Sequence, residues 1–61
     1  MLEKKSLVYL TAEYKKEHKI TETKIFVITE VQNLGPRYVI MEYLTLQNTL
    51  VVNKEDIEEV N

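Results

Sequence analysis

A Ser-His-Asp relay would use the whole supply of its parts, because Ser6, His18 and Asp56 are the only serine, histidine and aspartate in the chain. Ser6 lies in no nucleophile-elbow context. His18 sits among Lys15, Lys16, Glu17 and Lys19, a solvated and positively biased setting. Titratable constellations that do chemistry need a buried cleft, which a small core does not readily supply. Metal chemistry is no better served. Glu55, Asp56, Glu58 and Glu59 cluster, but without the alternating acidic ligands and glycine turn of a calcium loop. His18 with Glu13 or Glu17 makes at most a surface pair. A single glycine leaves no glycine-rich phosphate loop. The expectation is a non-enzyme with no catalytic, metal or cofactor site.

Two groups of residues suggest binding instead. Phe26, Arg37, Tyr38, Met41 and Tyr43 are of the types enriched where proteins hold one another: aromatics, Met and Arg. They are the expected protein-binding residues. Tyr14, Lys15, Lys16, Lys19 and Lys24, with His18 among them, combine rings with cations and form the alternative, a nucleic-acid site. Several phosphate contacts ordinarily take a denser basic stripe, and the net charge of −2 opposes non-specific binding. The charge is mildly uneven: residues 1–24 carry six Lys against four Glu, and the remainder is net acidic. A protein partner is therefore expected ahead of nucleic acid.

Sixty-one residues make one domain, 1–61, near the lower limit for independent folding. A chain of this size buries only about 60% of the surface it exposes when unfolded. With no cysteine, neither disulfides nor thiolate metal sites can supplement the core. No apolar run approaches the ~18 residues that span a bilayer. Leu7 to Leu10 is too short for the h-region of a secretory signal. A cytoplasmic chain without membrane contact is expected.

The elements that must position these residues are mostly strands. Lys24 to Gln32 is β-branched and aromatic, with Ile25, Val27, Thr29 and Val31 on one face and Phe26 and Ile28 on the other. Asn33-Leu34-Gly35-Pro36 reads as a turn. Arg37 to Leu44 alternates Val39, Met41 and Tyr43 against Tyr38, Ile40 and Leu44. A break at Gln47-Asn48 precedes a short strand, Thr49 to Val52. Two successive hairpins make an antiparallel meander. Both faces of its middle strands are apolar, so something must cover Phe26, Ile28, Tyr38 and Ile40: a curled sheet, the N-terminal segment or another chain.

The N-terminal third supports two readings. Ser6 to Tyr14 alternates as a strand through Val8, Leu10, Ala12 and Tyr14. It also fits a helix capped by Ser6, with Leu7, Leu10 and Tyr14 on one side. At the other end, Asn53 is a capping residue followed by acidic residues, which fits one or two helical turns or a 3-10 turn leading into a last strand.

Leu50-Val51-Val52-Asn53-Lys54-Glu55-Asp56-Ile57-Glu58-Glu59-Val60 resembles the end of a Src-homology-3-like small β-barrel, a likeness that extends over residues 24–60. In that family an apolar strand end is followed by a one-turn 3-10 segment, a core-plugging apolar residue and a final strand. Val52, Ile57 and Val60 take those places here. Leu10-Thr11-Ala12-Glu13-Tyr14 shares little with the family's Ala-Leu-Tyr-Asp-Tyr segment. There is no Trp, and Asn53 stands at the groove-proline position. The resemblance thus implies the fold and not a polyproline groove.

The expected fold is all-β, a small antiparallel SH3-like barrel with a short helical or 3-10 turn near the C-terminus. The alternative is α+β, with Leu2 to His18 as a helix across a three-stranded sheet. The expected function is a small protein-binding module or inhibitor, such as a bacterial or phage accessory protein acting on a larger host protein. Nucleic-acid binding through segment 14–24 and a self-assembling homodimer are the alternatives.

Overall fold

Residues 2–32 and 37–60 are described in the computed structural model, where strand alternation dominates from Leu7 onward. The turn expected at Asn33–Pro36 lies outside the described residues. In chain order the elements are β1 (Leu7–Leu10), α1 (Ala12–Glu17), β2 (Ile25–Gln32), β3 (Arg37–Glu42), β4 (Leu50–Asn53), a 3-10 turn (Lys54–Asp56) and β5 (Ile57–Glu59). All pairings are antiparallel, in the order β4-β3-β2-β1-β5.

Both N-terminal readings hold in part, because strand and helix divide the segment between them. Val8 and Leu10 alternate into the core as β1. Thr11 then turns the chain: its backbone is extended, and its hydroxyl accepts the Tyr14 N–H at 3.2 Å, capping α1. Ser6 caps no helix; its hydroxyl accepts the Glu3 N–H at 3.1 Å. The α+β alternative, one helix from Leu2 to His18, is therefore corrected by the β1 ladder to β2 and β5. Lys19, at φ 55°, ends the helix in the left-handed region. Its N–H reaches the Lys16 carbonyl at 3.3 Å, and the Ile20 N–H reaches the Lys15 carbonyl at 2.8 Å. Those two bonds form a Schellman closure, usually made with glycine.

Strand order and chain order together force the sheet to curl. β4 and β5 occupy opposite edges, yet only Lys54–Asp56 separate them. Five strands laid flat would put the edges about 19 Å apart. A one-turn 3-10 connection advances only about 8 Å. The edges must approach each other at that end, and Val52 of β4 and Ile57 of β5 accordingly join one core. The sheet is nonetheless not a closed barrel, which corrects that part of the expectation. β4 and β5, four and three residues long, run on through the 3-10 turn and form no ladder with each other.

The core lies on the concave side: Val8, Leu10, Phe26, Ile28, Tyr38, Ile40, Val52 and Ile57. Leu2, Tyr14, Ile20 and Leu50 pack around its margin. The curled sheet thus covers the Phe26, Ile28, Tyr38 and Ile40 face from within. On the convex side Leu7, Val27 and Met41 form a half-buried row across β1, β2 and β3. The β2–β3 register shifts between Ile28 and Glu30. Thr29 is the extra residue, and its hydroxyl donates to the Val39 carbonyl at 3.2 Å.

Candidate functional site

Alternation along β3 sends Tyr38, Ile40 and then Glu42 to the concave side. Glu42 therefore lies opposite Phe26, with only 8% of its surface exposed. Burying a carboxylate is costly unless its oxygens are paired, and here they are. Lys24 Nζ donates to Oε1 at 3.3 Å and Thr45 Oγ1 donates to the same oxygen at 3.5 Å, while Asn48 Nδ2 donates to Oε2. The Asn48 hydrogen bond is the main cause that holds the Glu42 carboxyl below the usual range. Burial opposes it, and Lys24 and Thr45 reinforce it. Lys24 is shifted up, first by its hydrogen bond to Glu22 and then by Glu42.

Glu42 also organises the backbone. Its N–H donates to the Gln47 carbonyl at 3.0 Å, and its carbonyl accepts the Leu46 N–H at 2.8 Å. The loop between β3 and β4 is wound around this residue, with Leu46 and Asn48 in the left-handed region at φ 54° and 58°. Asn tolerates that conformation through its short polar side chain, whereas Leu is strained in it. The winding leaves Tyr43 and Leu46 about half exposed, and Leu44 is 91% exposed. A hollow of about 500 Å³ between Ile25, Tyr43, Leu44 and Lys24 lies beside them. The Lys24–Glu42 pair separates it from a cleft of about 430 Å³ floored by Leu10, Phe26 and Leu50.

The five expected protein-binding residues are not one surface. Phe26 and Tyr38 are core residues and present nothing to a partner. Arg37 and Tyr43 are exposed and Met41 is half-buried in the convex row. Leu44 and Leu46, which sequence reasoning passed over, are exposed beside Tyr43. The signal for them was the Leu-Thr-Leu run just before the Asn48 break. Glu42 was also missed, although an acid stands there at a phase where the strand pattern calls for an apolar residue.

The basic group is dispersed too. Tyr14 is half-buried and stacks on His18, ring centroids 4.1 Å apart at 26°. Burial, and secondarily the charge of Asp56, raises the pKa of its hydroxyl. Lys15 Nζ donates to Thr23 Oγ1 at 3.0 Å, and Lys24 is tied to Glu22 and Glu42. Lys16 and Lys19 are exposed at the end of α1. Among the described residues, no group of three or more His, Asp or Glu could hold a metal ion, and no helix is long and apolar enough to cross a membrane.

Comparison of the chain with protein families, with curated proteins and with solved structures finds no match.

Proposed function

We propose that the chain is a non-enzymatic protein-binding module that holds its partner with the β3–β4 loop. Tyr43, Leu44 and Leu46 would be the contacts, with Ile25 and Met41 alongside. The observation that carries this reading is Leu44, an apolar side chain 91% exposed on a loop tied down by a buried carboxylate. Fixing such a loop in advance lowers the entropy lost on binding, which is how small interfaces become useful. Inhibition of a larger protein is one use of such a module.

The strand order and the 3-10 turn before β5 support a Src-homology-3-like fold as the scaffold. A cysteine-free chain suits the reducing cytoplasm. Nucleic-acid binding has less support, since Lys15 and Lys24 are already engaged within the chain.

A photo-crosslinking residue placed at Leu44, and as a control at the exposed Glu13 of α1, tests the reading in extract from the native cell. A discrete adduct from position 44, absent from position 13 and lost when Tyr43→Ala is added, is expected. Equal yields from both positions would sink it.

A further inference from the structure

The two free edges of the curled sheet are chemically different. β5 carries Glu58 and Glu59, so a second copy approaching that edge would bring acid against acid. β4 is Leu50-Val51-Val52-Asn53, with no charge, no proline and an uninterrupted register to β3. Native sheets ordinarily guard an edge with charge, proline or a bulge, because its unpaired N–H and C=O groups are a template for another strand. The β5 edge has such a guard and the β4 edge lacks one.

We propose that the β4 edge is the docking site for a second copy of this chain, the two edges pairing antiparallel about a two-fold axis at Val51. Residues opposite one another in an antiparallel pair share a face, which limits the possible registers. Val51 lies on the convex side and is 55% exposed; Val52 lies on the concave side in the core. Centring the pair on Val51 keeps the two sheets continuous. Val51 then faces the partner's Val51 and Leu50 faces the partner's Val52. Asn53, the last residue of the strand, faces the partner's Thr49. No like charges meet at any of these positions.

The same construction on β5, centred on Glu58, would set two glutamates face to face, which destabilises a cross-strand pair. A two-fold arrangement is also closed, so pairing at the uncharged edge ends at two copies instead of growing. This site shares no residue with the β3–β4 loop contacts, and each proposal can fail without the other.

Sedimentation of the full chain from micromolar to millimolar concentration tests it. A mass rising from 7.2 kDa to twice that value is expected. Val51→Lys, checked for folding by far-UV circular dichroism, should raise the dissociation constant at least about tenfold by opposing two charges across the axis. Because the chain has no cysteine, an introduced thiol reports proximity cleanly. Strands paired at this register bring opposite Cα atoms to about 4.5–5.5 Å, within disulfide reach. Val51→Cys should therefore oxidise to a covalent dimer, and Glu58→Cys should not. The Val51→Cys result decides the matter if Val51→Lys does not fold. A monomer throughout, a dimer indifferent to Val51→Lys, equal oxidation at position 58 or assembly beyond two copies would each overturn the proposal.

Discussion

Lys24 Nζ lies 3.3 Å from Glu42 Oε1, joining the residue just before β2 to the last residue of β3 on the concave side of the sheet. The contact is a strut at the mouth of the fold. It separates the two hollows and fixes the residue around which the β3–β4 loop winds.

Stability should respond to pH through this pair in a defined way. Glu42 has its folded pKa depressed, chiefly by Asn48, so its contribution is present above the unfolded carboxylate value of about 4.3 and is lost as pH falls through the lower folded value. Lys24 is raised, so its contribution is present below the unfolded lysine value of about 10.4 and is lost as pH rises through the higher folded one. Thermal melts of the parent and Glu42→Gln should differ most on the plateau between these limits and converge in acid. A difference that persists unchanged at pH ~2 would show that the charge of Glu42 is not what stabilises the loop.

Loop order should depend on the same residue. In Asn48→Ala the Leu46 amide, which donates to the Glu42 carbonyl, is expected to exchange with solvent faster, while the Ile28 amide in the sheet keeps its protection. Hydrogen exchange read residue by residue checks this. Equal acceleration at both amides would indicate global destabilisation instead of loop release.

Tyr38 of β3 and Tyr43, the first residue after it, should behave oppositely. Tyr38 is buried, and truncating a core aromatic costs about 3–5 kcal/mol. A domain of this size has a total stability of roughly 3–5 kcal/mol, so Tyr38→Ala is expected to be unfolded. Tyr43 is about half exposed, and Tyr43→Ala should keep the parent circular dichroism spectrum. Urea titration of both variants distinguishes them.

Lys19 offers a stabilising change. A non-glycine residue in the left-handed region costs roughly 1–2 kcal/mol in backbone strain, part of which glycine returns as greater freedom when unfolded. Lys19→Gly should therefore gain about 1 kcal/mol. A higher urea midpoint with an unchanged slope would confirm it; a lower midpoint would mean that the Lys19 side chain contributes more than its backbone conformation costs.

The meander β2, β3 and β4 was legible because β-branched alternation bounded by turn residues has one natural reading, and the 3-10 turn before β5 was one of two readings of the tail. The N-terminal segment was not, since Thr11 switches the chain from a period of two to a helical period within a few residues. Any window long enough to show either period contains both. The faces of β2 were misassigned at one residue for a related reason. Thr29 bulges, which shifts the phase and puts Val31 opposite Tyr38 on the concave side, away from Ile25 and Val27. Composition marked Tyr38 and Tyr43 alike as interface residues. Only the curl of the sheet decides that one is interior and the other is not.

β1 has β2 on one side and β5 on the other, and the Val60 N–H donates to the Leu7 carbonyl at 2.9 Å. The earliest strand and the latest are thus neighbours. During synthesis β1 to β4 can assemble as each leaves the ribosome, but β1 keeps a bare flank, and the core lacks Ile57, until the final strand emerges. The nascent meander must wait with that flank open. A chain ended after Asp56 should be cut readily by proteases, whereas the chain that includes β5 should resist them.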